Sequence, residues 1–169
     1  YNDVLATIHS KIQDDPRHTI FFDGEILLDA DFNFINAIKN ELANMDVTHL
    51  SKQDITLFEN SDLNHVFLNA FEYVVNLAIR QENFLNDSVR NNFICKLLLY
   101  AHLYIQNLDY SELDFHANHC FYYGDISRHD IYFLILLYKM GFDVVYINPL
   151  RECDYWKEID SDKLCKKHK

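Results

Sequence analysis

The chain has little glycine and proline and no apolar run long enough to cross a bilayer. Only three glycines and two prolines occur in 169 residues, which excludes a collagen-like or linker-like polymer. The apolar run Ile131–Leu137 is far shorter than the roughly 20 residues that a spanning helix needs. The N-terminus also lacks the charged, apolar and small-residue regions of a signal peptide. We therefore expect a protein of the reducing cytoplasm without a membrane partner.

Positive charge is scarce. Fifteen lysines and arginines face 26 aspartates and glutamates, which gives a formal net charge of −11. Such a chain repels a phosphate backbone unless its cations cluster, and lysines cluster only in a short basic tail over residues 161–169. Tails of this kind are usually solvated or disordered. Nucleic acid is therefore not an expected partner.

Side-chain patterns for metal binding or covalent catalysis are weak. The four cysteines are far apart and share no CxxC spacing, which is typical of buried free thiols: Cys95, Cys120, Cys153 and Cys165. His116 and His119 have a spacing compatible with metal ligation, but no second ligand pair occurs nearby. No serine or cysteine has a recognisable catalytic partner. We therefore predict no metal site, and the residues leave open whether the chain binds a cofactor and whether it is an enzyme.

The residues that are abundant predict a folded, mainly helical chain. Nearly half are apolar and 15% are aromatic, enough for a real core in one domain. Apolar residues recur at helical spacing in four segments, and the last two are separated by a short loop that predicts an antiparallel αα-hairpin: residues 3–13, 34–42, 61–83 and 87–107. The Asp23-Gly24 dipeptide favours a small β-hairpin between Thr19–Phe22 and Glu25–Leu28. These elements form a predicted helical region over residues 1–108.

The last third changes character after a polar, aromatic linker over residues 109–118. His119–Tyr123 is β-prone, Ser127–Met140 has a helical period that ends at Gly141, and Phe142–Ile147 is β-branched and apolar. Because the second strand shows no alternation, we expect it to be covered on both faces, as in a parallel sheet. The predicted fold class is therefore α+β and mainly helical, with a Rossmann-like strand-helix-strand portion over residues 109–160.

A strand that ends at a glycine and leads into a helix presents unpaired backbone amides that bind anions. Here the turn runs through Gly124, Asp125, Ser127, Arg128 and His129. A parallel return strand ends at the same sheet edge and delivers Asn148 there. We therefore predict that these six residues bind a small anionic, nucleotide-like or carboxylated metabolite.

A purely structural interpretation accounts for the same residues. Asp125 or Ser127 then caps the helix, and Arg128 pairs with a surface carboxylate. In that case the chain is a non-catalytic interaction module that docks a protein partner, or a missing domain of the same polypeptide, through the helical hairpin or an aromatic surface. Five aromatic residues compose that surface: Tyr110, Phe115, Phe121, Tyr122 and Tyr123.

Residues 121–149, FYYGDISRHDIYFLILLYKMGFDVVYINP, resemble the core segment of the YceG-like family. The similar features are the Tyr-Tyr-Gly turn, the apolar helix that ends at Gly141 and the Phe-Asp-Val-Val-Tyr-Ile-Asn-Pro strand. The resemblance implies a cytoplasmic bacterial protein of a biosynthetic module encoded beside tellurite-resistance and stress-response genes. It transfers no catalytic residue. Such proteins are longer, which agrees with a chain that begins at Tyr1 and leads us to expect a fragment.

Overall fold

The computed structural model describes residues 17–108, 118–149 and 155–160, with isolated positions at 3, 6, 7, 10, 14, 163, 164 and 166. These residues form an α+β fold with five helices, one 3₁₀ turn (Leu50–Lys52) and three strands. The strands are β1 (Thr19–Asp23), β2 (His119–Tyr123) and β3 (Asp143–Ile147). The helices are α1 (Phe32–Leu42), α2 (Ser61–Gln81), α3 (Asp87–Tyr104), α4 (Arg128–Lys139) and α5 (Tyr155–Ile159).

The three strands form one parallel sheet in the order β1-β2-β3. Alternate residues of each strand point to the helices, and the core-facing positions of β1 and β2 are buried: Ile20, Phe22, Cys120 and Tyr122. The opposite face carries a row of three apolar side chains in register, Phe21, Phe121 and Val145. Strand β1 belongs to the predicted helical region, whereas β2 and β3 belong to the predicted Rossmann-like portion, so one sheet joins the two regions. The bounds of the two regions as separate domains stay a prediction.

Helix α4 is the centre of the core. Its residues from Asp130 to Leu137 are all buried, and the helix contacts α2, α3, α5 and β3. A helix that is apolar around its whole circumference is stable only when neighbours cover every side. The helix begins after the N-cap residue Ser127 and ends before Gly141, whose φ of 100° is typical of a helix stop. The predicted strand-helix-strand order is therefore confirmed for these residues.

Tyrosine hydroxyls hold the segment that follows β1. Tyr122 lies 2.9 Å from the carbonyl oxygen of Gly24, Tyr100 lies 3.1 Å from that of Ile26, and Tyr104 lies 2.7 Å from that of Leu27. Burial, followed by the nearby Asp130 carboxylate, raises the pKa of Tyr100 and of Tyr122, so both hydroxyls stay protonated. We call these three bonds the tyrosine clamp.

The predicted β-hairpin at Asp23-Gly24 is wrong. Glu25–Leu28 forms no strand, and β1 pairs in parallel with β2 instead, with Thr19 opposite His119. The clamp supplies the physical reason, because it satisfies backbone carbonyls that a hairpin partner would otherwise bond. A local turn signal was therefore overridden by contacts from residues about 100 positions further along the chain.

Two further expectations differ from the structure. Strand β3 is not covered on both faces, since Asp143 is exposed and Val145 is 41% exposed. The close antiparallel pairing of α2 with α3 is not confirmed, because α2 packs mainly on α4 and the 3₁₀ turn, while α3 packs mainly on α1. Of the predicted first helix, residues 3–13, the structure describes positions 3, 6, 7 and 10, and all four are helical. The linker lies almost entirely outside the described residues, as does most of the basic tail.

Removing the buried hydroxyl of Tyr122 tests the clamp. We expect Tyr122→Phe to lower the free energy of unfolding by about 1–3 kcal/mol, because the Gly24 carbonyl and the Asp130 carboxylate then lose a buried donor. Urea denaturation measures the change. The matched control is Tyr138→Phe at the exposed C-terminal end of α4, which should be neutral. Equal stability of both variants would contradict the clamp.

Candidate functional site

The carboxyl ends of the three strands meet at one edge of the sheet. Asp23, Tyr123 and Ile147 lie side by side in the register. The next backbone amides continue the ladder, with the Gly24 N–H donating to the Tyr123 carbonyl at 2.8 Å and the Gly124 N–H donating to the Ile147 carbonyl at 2.9 Å. Ligands of open parallel sheets bind at this edge.

Two glycines bring the backbones of β1 and β2 unusually close at this edge. A Cβ on Gly124 would lie 3.1 Å from the Gly24 Cα and 3.3 Å from its nitrogen. Gly124 also has a φ of 116°, a conformation that other residues rarely adopt. The close approach of the two backbones therefore depends on the absence of a side chain at Gly124.

Helix α4 begins four residues after Gly124 with two unused backbone donors. The Ser127 hydroxyl caps the helix by accepting the Asp130 N–H at 3.1 Å. Within the described residues, no hydrogen bond reaches the amides of Arg128 or His129. Unpaired amides at a helix start carry partial positive charge and bind anions.

A carboxylate of the chain itself lies buried in the first turn of α4. Asp130 is 5% exposed, and its two oxygens lie 3.2 Å from the Tyr100 hydroxyl and 3.5 Å from the Tyr122 hydroxyl. Negative charge near a helix N-terminus is stabilised by the helix dipole. The Asp130 carboxylate therefore takes up part of the favourable electrostatic potential at the start of α4.

The Arg128 guanidinium is already engaged by carboxylates. Its Nη2 lies 2.7 Å from the Glu82 Oε1, and its Nη1 lies 2.5 Å from the Glu158 Oε2. The hydrogen bond to Glu82 is the main cause that raises the pKa of Arg128, and the bond to Glu158 adds to it. Tyr132 also donates to Glu82 at 2.8 Å. Arg128 therefore ties the end of α2 to α5 and presents its backbone amide at the turn.

The His129 ring packs among aromatic rings on α3. Its centroid lies 4.4 Å from that of Phe93 and 5.6 Å from that of Tyr100. Burial, with the nearby Lys96 ammonium adding to it, lowers the pKa of His129 to about 3. Its Nε2 is buried and has no partner within the described part of the chain. At neutral pH His129 is therefore an uncharged ring, and Lys96 is the cation near it.

The remaining predicted residues lie at the same edge. Asn148 follows β3 beside Gly124, and its amide donates to the Tyr146 hydroxyl at 3.0 Å. The Asp125 side chain is exposed, and its carbonyl lies 3.1 Å from the Tyr122 hydroxyl. The structure adds Asp23 and Gly24 to this edge. Sequence reasoning missed them because it assigned the Asp-Gly dipeptide to a local turn.

Other places for a ligand are few in the part of the chain that the structure describes. No group of three histidine, cysteine or acidic side chains there has the geometry to hold a metal. Cys95 and Cys120 are buried free thiols, and burial raises the pKa of each. A concavity of about 450 Å³ follows the outer face of α2, and none of the predicted site residues line it.

The fold and this edge define a class of α+β protein with a three-stranded parallel sheet and a central buried helix. The model of the YceG domain matches residues 1–169, so the chain belongs to the YceG domain family. No curated protein and no solved structure matches it. Among the described residues, no helix has the length and hydropathy that crossing a bilayer requires.

Adding a methyl group to each edge glycine separates backbone strain from steric contact. Gly124→Ala adds both, whereas Gly24→Ala adds only the strain of a φ of 81°, since nothing lies within 4 Å of its Cβ position. We expect Gly24→Ala to cost about 1–2 kcal/mol of unfolding free energy and Gly124→Ala clearly more. Urea denaturation measures both. A smaller cost at Gly124 would refute the close approach of the two backbones.

The buried, neutral His129 predicts a specific loss of stability in acid. Its pKa is about 3 when folded against an ordinary value of 6.5, so the unfolded chain binds the proton more readily. Its contribution to stability is complete above the unfolded pKa and is lost as the pH falls. Between about pH 7 and about pH 5 we expect a loss of about 2 kcal/mol from this residue.

Replacement of the ring isolates that contribution. His129→Phe, compared with the parent chain by urea denaturation at both pH values, should lose about 2 kcal/mol less on acidification. His49→Gln is the control, because the His49 ring is exposed and pairs with Asp46. An identical acid response of the parent chain and His129→Phe would show that His129 is not buried in neutral form.

Proposed function

We propose that this chain is a cytoplasmic, metabolite-handling protein that binds a small anionic ligand at the turn between β2 and α4. The ligand contacts Gly124, Asp125, Ser127, Arg128 and His129, with Asn148 beside them. The observation that carries the proposal is the pair of unused amides of Arg128 and His129 at the carboxyl edge of three parallel strands. This edge is where open sheets of this kind bind ligands.

The distribution of charge around the edge narrows the class of ligand. The Arg128 guanidinium is held by Glu82 and Glu158, so the backbone amides bind the anionic group. Asp23 and Asp125 are exposed at the same edge. Carboxylates accept hydrogen bonds and repel additional negative charge. A ligand with one phosphate and several hydroxyls, such as a sugar phosphate or nucleoside monophosphate, fits both requirements.

The proposal includes the finer features that the resemblance implies. We place the strand-helix-strand portion among Rossmann-like units, and we propose a role in a biosynthetic module linked to tellurite resistance and stress. The described strands follow chain order, β1-β2-β3, without the reversal that creates a binding crevice in the usual doubly wound sheet. The ligand is therefore expected to depend on the helix start and the glycine pair more than on a crevice between strands.

The second candidate function is a non-catalytic interaction module. The observation in its favour is the outer sheet face, on which Val145 is 41% exposed in register with Phe121. An apolar surface of this kind suits a protein partner or a further domain of the same polypeptide. The aromatic surface of this candidate excludes Tyr122, which is buried. This second candidate function also includes docking of the partner at helices α2 and α3, the pair that the sequence predicted as a helical hairpin.

Charge at the helix cap tests the anion site directly. Ser127→Asp keeps a good N-cap but places a negative charge beside the free amides, whereas Ser127→Asn keeps the cap without the charge. Thermal unfolding is measured with inorganic phosphate, ribose 5-phosphate and adenosine monophosphate. At a hundredfold excess over the dissociation constant, a ligand should stabilise the parent chain and Ser127→Asn by about 2.7 kcal/mol.

Ser127→Asp should lose most of this stabilisation while its melting temperature without ligand stays close to that of Ser127→Asn. Each variant is compared with its own ligand-free melting temperature, so that a change in intrinsic stability does not count as binding. Equal stabilisation of Ser127→Asp would place the ligand elsewhere on the chain. No stabilisation of the parent chain by any of the three ligands would favour the docking function.

A further inference from the structure

Three large apolar side chains are exposed in the short segment that runs from the end of β1 into the first residue of α1. Leu27 is 60% exposed, Leu28 39% and Phe32 75%. Scattered exposed apolar residues are ordinary on protein surfaces, but three exposed large ones within six residues of a single segment favour an interaction site. We call Leu27, Leu28 and Phe32 the apolar ridge. None of them belongs to the proposed ligand site.

The backbone beneath the ridge is held in place. Tyr104 donates to the Leu27 carbonyl at 2.7 Å, and Tyr100 donates to the Ile26 carbonyl at 3.1 Å. The Ile26 side chain is itself buried. Asp31 caps α1 through the Phe34 N–H at 2.8 Å, which fixes the helix turn that carries Phe32. A surface that is already ordered loses less entropy when it binds. The ridge therefore has the rigidity of a docking surface.

The charge around the ridge has one sign. Four carboxylates lie between residues 19 and 38, and the same stretch contains no lysine or arginine: Asp23, Glu25, Asp29 and Asp31. All four side chains are exposed. Exposed carboxylates that flank exposed apolar residues along one segment favour a partner with the opposite charge pattern. A second copy of this chain, or an anionic membrane, would bring like charges together.

We propose that the apolar ridge docks a protein partner through an amphipathic helix whose leucine-like side chains contact Leu27, Leu28 and Phe32 and whose flanking lysines or arginines meet Glu25 and Asp29. The small size of the ridge places the contact among transient interfaces. Attraction between the two charge patterns accelerates association and makes binding sensitive to salt. This surface is independent of the anion site at Gly124.

A defined peptide tests the proposal. The probe is a fluorescein-labelled amphipathic helical peptide of leucine and lysine, and fluorescence anisotropy measures its dissociation constant at low and physiological salt. Leu27→Ser combined with Phe32→Ser should weaken binding by about tenfold or more, as expected when central apolar contacts are removed. Glu25→Gln combined with Asp29→Asn should weaken binding and reduce its dependence on salt.

Two controls separate docking at the ridge from nonspecific binding of the basic peptide to the acidic chain. Leu85→Ser removes another exposed leucine, 90% exposed near residues of both charges, and should leave the affinity unchanged. A peptide of leucine and glutamate should not bind. Equal affinity of the parent chain and the Leu27/Phe32 variant, or no binding of the leucine-lysine peptide, would overturn the proposal. So would a homodimer, detected by sedimentation, that the Leu27/Phe32 variant abolishes, because the occupant would then be a second copy.

Discussion

The buried Asp130 carboxylate is the constraint on which the surrounding structure depends. Burying a carboxylate without hydrogen bonds costs several kcal/mol, so a fold that contains one must supply donors. Here the hydroxyls of Tyr100 and Tyr122 lie at the two oxygens of Asp130, and the dipole at the start of α4 stabilises its negative charge. The same two hydroxyls reach the carbonyls of Gly24 and Ile26. One small network therefore joins β2, α3 and α4 to the segment after β1.

This network determines which groups at the sheet edge remain available. With Asp130 bound internally and the Arg128 guanidinium held by Glu82 and Glu158, the unused donors at the turn are the backbone amides of Arg128 and His129. The glycine pair lets the backbones of β1 and β2 approach each other closely beside these amides. The tyrosine clamp also holds the backbone of the apolar ridge at a fixed position beside this edge. The proposed ligand site and the proposed docking surface thus share a rigid support while using different side chains.

Local patterns in the sequence predicted the elements of the last third, and contacts between distant segments decided the rest. The strand that ends at Gly124, the helix capped by Ser127 and the stop at Gly141 depend on neighbouring residues, so their prediction is confirmed. The Asp23-Gly24 dipeptide carried an equally local hairpin signal, but tyrosines from α3 and β2 bond the backbone that follows it. No periodicity in a single sequence reports such long-range bonds.

The site residues likewise fall into those that local patterns predicted and those whose role depends on distant contacts. Helical phasing and parallel strand order correctly placed Gly124, Ser127 and Asn148 at one edge. The partners of Arg128 were not predictable, because Glu82 and Glu158 lie 46 and 30 residues away. The exposure of Val145 was also not predictable, because residues 144–147 lack the polar alternation that usually marks an exposed strand face.

Backbone recognition of an anion at the start of α4 is the central claim, and amide NMR tests it most directly. The ¹⁵N-labelled chain is titrated with inorganic phosphate while the amide resonances are followed. The account predicts saturable shifts centred on the amides of Arg128 and His129, with smaller shifts at Gly124. Shifts that fail to saturate, or that centre on lysine-rich segments and leave these amides unchanged, would contradict it.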